Sequence, residues 1–214
     1  MTDSYKHKGM RRKLVRVLRD KGINQERVLE AVNNVPRHFF FDSAFEEHAY
    51  QDKAFPIGEG QTISQPYTVA FQTSLLGVEK GCKILEIGTG SGYQACVLIE
   101  MGVELYTIEY QEKLYQKAKI MLPKMGYTPH FFHGDGSKGL KKYASYDGII
   151  VTAGAPTIPE ELTAQLNPNG KLVIPVGDRK TQKMLRITKN ELGNLKQEEF
   201  DNFAFVPLVG DDGW

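Results

Sequence analysis

The sequence predicts an α/β fold, a doubly wound and mostly parallel sheet with an antiparallel edge strand and a helical N-terminal extension. Three observations carry that expectation. Strand-like and helix-like stretches alternate from Gly81 onward, a glycine turn joins the first of those strands to its helix, and the chain closes on two strand-like stretches with no helix between them.

Element by element, "MRRKLVRVLRDKG" places Met10, Leu14, Val17 and Leu18 on one helical face, and Gly22 stops the helix. Asn24 is placed to cap a second short helix, "QERVLEAVNNV", which Pro36 ends. From Phe39 to Ser64 the aromatic residues follow no period, and "IGEG" carries two glycines; so apolar a stretch reads as a structured loop packed on the core rather than a linker. Loops of that kind tend to carry function. Pro66 suits the first position of a helix that runs to Gly77.

Beyond Gly81 come strand "KILEIG", helix "YQACVLIEMG", strand "ELYTIEY", helix "EKLYQKAKIMLPKMG", strand "HFFHGD", a short helical stretch "SKGLKKYA" and strand "YDGIIVTAG". Helix "PEELTAQL", turn "NPNG" and strand "KLVIPVG" follow, then late strands "KMLRITK" and "FAFVPLVG" joined through "NELGN". One domain is expected over 1–214, with the extension and a substrate and cofactor loop in 1–65, the core in 66–190 and a closing strand and tail in 191–214.

A hydrophobic fraction of 41% and a charged fraction of 25% are those of a soluble globular protein. The net charge of +1 excludes a general attraction to nucleic acid or an anionic membrane. Residues 1–37 carry 10 Lys/Arg against 4 Asp/Glu, or +6, which leaves 17 against 22, or −5, for the rest. The basic first helix reads as a solvated face, with an acidic partner as the alternative. Cys82 and Cys96 have neither CxxC spacing nor a His/Cys cluster beside them, so no disulfide framework and no metal site is expected. No apolar run approaches the ~18 residues that span a bilayer, and a cytoplasmic monomer is the expectation.

The glycine turn decides what the fold holds. Gly88, Gly90 and Gly92 give G-x-G-x-G, and Tyr93 stands where the dinucleotide fingerprint needs its third glycine. A Walker loop is excluded because no G-K-[ST] follows. Glu86, just before the turn, suits a ligand with an amino group, and S-adenosylmethionine has one together with a carboxylate that a helix N-terminus can receive. Glu109 ends the second strand of the alternating run, where a carboxylate can accept ribose hydroxyls. Asp135 ends the third, where an acid can accept from an adenine amino group while Gly136 lets the ring lie against backbone. Each acid is also a natural helix cap.

Here the residues resemble a family. "LEIGTGSGY", "YDGIIVTAGAP" and "LNPNGKLVIPVG" resemble motifs of the Rossmann-like class I methyltransferases. "AFPIGEGQTISQPYTVA", "VTAGAPTIPEELTAQL" and the closing "FVPLVGDDGW" are similar to the protein-L-isoaspartate (D-aspartate) O-methyltransferases. The resemblance implies methyl transfer from S-adenosylmethionine to the α-carboxylate of L-isoaspartyl residues in damaged proteins and peptides. The ester then closes to a succinimide, whose hydrolysis returns some aspartate.

The resemblance also implies site residues. Ser64 matches the family's active-site serine, read as a donor to the acceptor carboxylate rather than a nucleophile; a serine two residues before a helix-starting proline is also a natural cap. Thr62 and Ile63 resemble the cofactor-lining loop, with Ile63 equally a core residue, and Thr89 and Ser91 join the glycines of the turn. Ile57, Gly58 and Gln61, and Val206, Pro207, Leu208 and Val209, are implied as substrate segments that an extended peptide could pair with. Val209 and Gly213 are implied near the cofactor, and Trp214 reads as an anchor for the tail. No general base is needed, because a carboxylate of pKa about 3.5 is ionised at neutral pH. A methyltransferase acting on a small molecule or RNA, a non-catalytic cofactor sensor and a dehydrogenase are the competing readings.

Overall fold

A computed structural model describes residues 2–214. Strands β3 (Lys83–Ile87), β4 (Glu104–Glu109), β5 (His130–His133), β6 (Tyr146–Val151), β7 (Leu166–Gly177), β8 (Gln182–Lys189) and β9 (Leu195–Phe203) form a seven-stranded sheet in the order β5-β4-β3-β6-β7-β8-β9. Pairing is parallel from β5 through β7 and antiparallel between β7, β8 and β9. The chain therefore winds outward from β3 to β5, then crosses back to lay β6 on the other side of β3. That reversal opens a crevice at the carboxyl ends of β3 and β6.

The run "ILEI" in β3 is buried on both faces of the sheet, which is why it reads as continuous rather than alternating. Ile84 joins the core under α3 (Pro66–Leu76) and α4 (Tyr93–Glu100), while Leu85 and Ile87 join the opposite core with Leu162 of α6 (Glu160–Ala164). Helix α5 (Glu112–Lys124) connects β4 to β5. Helices α1 (Tyr5–Asp20) and α2 (Glu26–Asn34) pack into the first core through Leu14, Leu18, Val28 and Leu29. On α1 the basic residues divide: Arg12, Lys13 and Arg16 face solvent, while Arg11 is buried and paired with Asp3 at 3.0 Å. Among the described residues no helix is long and apolar enough to cross a membrane.

Pro66 and Gly77 bound α3 as expected, Gly77 in the left-handed conformation at φ +58°. Other expectations are corrected. Gln25, not Asn24, is the N-cap of α2, and it makes no side-chain cap bond. The aperiodic stretch folds into two 3-10 helices, Arg37–Phe40 and Ser43–His48, and a hairpin of β1 (Phe55–Gly58) and β2 (Gln61–Ile63). The helical stretch "SKGLKKYA" is split into two 3-10 helices, Gly136–Lys138 and Lys141–Tyr143. "NPNG" is absorbed into β7 as an irregularity, with Asn169 at φ +63°. The last strand is Leu195–Phe203, and "FVPLVG" lies beyond it, held by one bridge from Pro207 to Gly154. Its composition, "LKQEEFDNF", hid that strand, because a largely exposed edge has no regular apolar alternation to announce it.

Candidate active site

The carboxyl ends of β3, β4 and β6, the turn after β5, the residues around β2 and the tail line a cleft that opens to solvent. It lies at the position the strand reversal dictates. Of the expected site residues, Gln61, Thr62, Ser64, Gly88, Thr89, Gly90, Ser91, Glu109, Gly136, Val206, Pro207, Leu208 and Val209 line it.

The turn after β3 has Gly88 at φ +93° and Gly90 at φ +54°. A Cβ on Gly88 would lie 2.5 Å from Thr152 Oγ1, the hydroxyl at the end of β6 that donates to Gly88 O at 2.6 Å. Around Gly90 the space is open, with only Ile57 Cδ1 at 3.8 Å, so a ligand can lie directly on that backbone. Glu109 is 5% exposed; its Oε2 accepts from the Gly90 amide at 2.7 Å and its Oε1 from the Gln111 amide at 2.9 Å. Each oxygen keeps a second lone pair for a ligand hydroxyl.

Six expected residues do not line the cleft. Glu86 is fully buried beneath its floor, where Oε2 accepts from Thr107 Oγ1 at 2.6 Å and Oε1 has no partner. Burial pushes its carboxyl up to about 8, so it is neutral at pH 7 and offers no anion to a ligand's amino group. Asp135 turns to the tail: Oδ1 accepts from the Ser137 amide at 2.9 Å and hydroxyl at 2.7 Å, and Oδ2 from the Asp211 amide at 2.9 Å. Burial raises that carboxyl, but the bonds from Asp211 and Ser137 outweigh it and hold it below the ordinary range. Gly92 caps α4 against Leu122, Ile63 is core, Ile57 sits half-buried under the turn and Gly58 is exposed at the hairpin.

Ser64 stands between β2 and α3. The cap of α3 comes from elsewhere, because Asp52 Oδ1 accepts from the Tyr67 amide at 2.8 Å and Gln65 occupies the N-cap without a side-chain bond. The Ser64 hydroxyl is left without capping duty. A second groove, walled by Gln65, Tyr67 and the backbone from Asp201 to Val206, meets the cleft at Thr62, Ser64, Thr152 and Val206. The tail's near edge is used, with Gly154 N donating to Val206 O and Leu208 N to Gly154 O, both at 2.8 Å. Trp214 is the tail's anchor: its Nε1 donates to Gly154 O at 3.1 Å and Arg179 stacks over its ring. Gly213 packs against Leu208 O rather than lining the cleft.

Sequence reasoning missed Thr152, Tyr93 and Gln111 as lining residues. Thr152 was within reach, since it follows the strand that returns beside β3.

A reversed parallel sheet, glycines opening its first turn and a buried acid ending β4 define a Rossmann-like cofactor-binding fold, and its solved neighbours fit that class as methyltransferases. A family model described as protein-L-isoaspartate(D-aspartate) O-methyltransferase matches residues 9–213. Proteins named protein-L-isoaspartate O-methyltransferase are similar over the whole chain: that of Cytophaga hutchinsonii is 64% identical over 100% of this chain and 97% of its own, and that of Flavobacterium psychrophilum 56% over 99% of each. A solved protein-L-isoaspartate O-methyltransferase superposes with a TM-score of 0.84 at 28% identity, covering 95% of this chain and 67% of that one. A candidate protein-L-isoaspartate O-methyltransferase from Plasmodium falciparum, solved with S-adenosyl-L-homocysteine, superposes at 0.79 with 26% identity over 95% and 98%. The chain belongs to the protein-L-isoaspartate(D-aspartate) O-methyltransferase family.

Proposed function

We propose that this enzyme transfers a methyl group from S-adenosylmethionine to the α-carboxylate of L-isoaspartyl residues in damaged proteins and peptides, leading through a succinimide back to aspartate. The observation that carries the reading is Ser64, at the junction of the cofactor cleft and the second groove. S-adenosylmethionine, when bound, supplies a methyl group activated on a sulfonium.

This chain's residues hold and orient. Gly90 gives the ligand backbone to lie on, Glu109 accepts its ribose hydroxyls, and Gly136, packed tightly on Ile87 and Ile108, presents its backbone at the cleft wall. Thr62, Thr89 and Ser91 complete the wall. The Ser64 hydroxyl donates to one oxygen of the acceptor carboxylate, which takes that oxygen from water and turns the other toward the methyl group. Alignment and desolvation of this kind can supply about 7–11 kcal/mol at best. The peptide lies in the groove beside Asp201–Val206, within reach of the tail's far edge, where Pro207 O and the Val209 amide point away from Gly154.

We read residues 1–214 as one domain, because one buried cluster runs from Leu14 through Ile84 to Met184. A cytoplasmic monomer remains our reading; two free cysteines suit a reducing compartment. Two peptides differing only in Asp against isoAsp, incubated with labelled cofactor, test the function. Label should enter the isoAsp peptide alone, and a Ser64→Ala variant should lose about 10²-fold in turnover while binding adenosylhomocysteine normally. Equal labelling of both peptides would refute the assignment.

A further inference from the structure

Arg37 is the largest side chain completely removed from solvent. It sits in the first 3-10 turn, and all its hydrogen bonds go to main-chain carbonyls: Nε to Ala49 O at 2.9 Å, Nη2 to Ser64 O at 2.9 Å and to Lys53 O at 3.4 Å. Nη1 has no partner among the described residues. Asp52, a carboxylate whose charge reaches it, is already occupied by Lys21 at 2.6 Å and by the first turn of α3. The guanidinium lies 4.5 Å from the centroid of the Tyr93 ring. Burial lowers its pKa only to about 10, so it remains a cation at neutral pH.

A buried charge with no counter-ion is costly, and an apolar side chain of the same volume is often tolerated better. Its position gives the cost a use. Two of the groups it touches, Ser64 through its carbonyl and Tyr93 through its ring, line the cleft. Tyr93 is a neutral phenol and Glu86 a neutral acid, so neither supplies a counter-charge, and the nearby carboxylate, Asp52, is shared with Lys21.

We propose that Arg37 is a positioning residue for methyl transfer: it fixes the Ser64 main chain and sets a permanent positive charge behind the acceptor end of the cleft, favouring entry of a substrate carboxylate stripped of water. The inference rests on Ser64 marking the acceptor end. A buried cation acts through low dielectric with little screening by salt, so its effect is larger than that of a surface lysine. It stabilises the bound carboxylate, which appears in KM, while its fork of hydrogen bonds places Ser64, which appears in kcat.

The test compares wild type, Arg37→Met and Arg37→Lys with an isoaspartyl peptide, and measures adenosylhomocysteine affinity by calorimetry. Arg37→Met should raise KM at least tenfold and lower kcat, with adenosylhomocysteine affinity within twofold of wild type. Arg37→Lys keeps the charge and loses the fork, so KM should return to within threefold while kcat stays low. Unchanged kinetics in Arg37→Met, an equal rise in KM for both variants, or parallel loss of adenosylhomocysteine affinity would overturn the proposal.

A second measurement needs only wild type. A peptide in which the isoaspartyl α-carboxylate is amidated should compete at least tenfold more weakly than the acid, and equal competition would overturn the counter-charge. Wild type that methylates no isoaspartyl peptide would instead refute the function; wild type that does, beside unaltered variants, refutes Arg37 alone.

Discussion

At Glu86 the chain buries a carboxyl with one oxygen bonded to Thr107 and the other to nothing. Its folded pKa, raised to about 8, stands against about 4.3 in an unfolded chain, so the folded state holds a proton that the unfolded state has released. That contribution to stability is complete below about pH 4.3 and lost progressively as pH rises to about 8. A Glu86→Gln variant is neutral throughout and should gain on wild type across that window. The difference in urea midpoint between variant and wild type should grow from pH 5 to pH 8 and then level; a difference that ignores pH would mean Glu86 ionises freely. His38, whose imidazole burial pulls down, gives wild type a slope of opposite sign below its unfolded pKa, and it cancels in the difference. A place in the cleft was legible for Glu109, Ser64, Gly88 and Gly90 because motif and strand end coincide there. Arg37 was not, since nothing local distinguishes an arginine that folds inward from nine other basic residues in the first 37.

The tail from Val206 to Trp214 is an element without regular structure, held by single bonds at a few points. Asp135 takes the Asp211 amide, Ser137 Oγ accepts from the Asp212 amide, and Gly154 takes Leu208 and Trp214. Asp135→Ala removes one acceptor from a partly exposed set, worth about 0.5–1.5 kcal/mol. We expect faster hydrogen exchange at the amides of Asp211 and Asp212 in that variant, and a higher KM for peptide, since the same segment lines the cleft. Exchange indistinguishable from wild type would show that the tail is held without Asp135. The tail's misreading as a strand has a plain cause: "FAFVPLVG" is apolar enough for a strand, but its pairing partner is a single loop residue, Gly154, remote in sequence. Edge strand β9 was missed for the converse reason, as its pattern is polar and exposed.

Across the molecule, one cleft gathers residues from seven places in the chain between Gln61 and Val209, so ligand binding should stabilise the fold as a unit. Adenosylhomocysteine at a hundred times its Kd should add about 2.7 kcal/mol, raising Tm by roughly 5–10 °C for a chain of this size. Well-folded protein whose Tm does not move would contradict a cofactor site at the crest of the sheet. The sequence by itself determined the alternating, doubly wound sheet and the glycine turn, because burial of parallel strands and backbone room for a ligand leave marks within a few neighbouring residues. Only the tertiary structure decided that Asp135 serves the tail, that Glu86 is sealed and neutral, and that an unpaired guanidinium stands behind Ser64. Those outcomes depend on which distant groups exclude water or supply a partner, and solvent exclusion is a property of the packed chain that no short window of sequence contains.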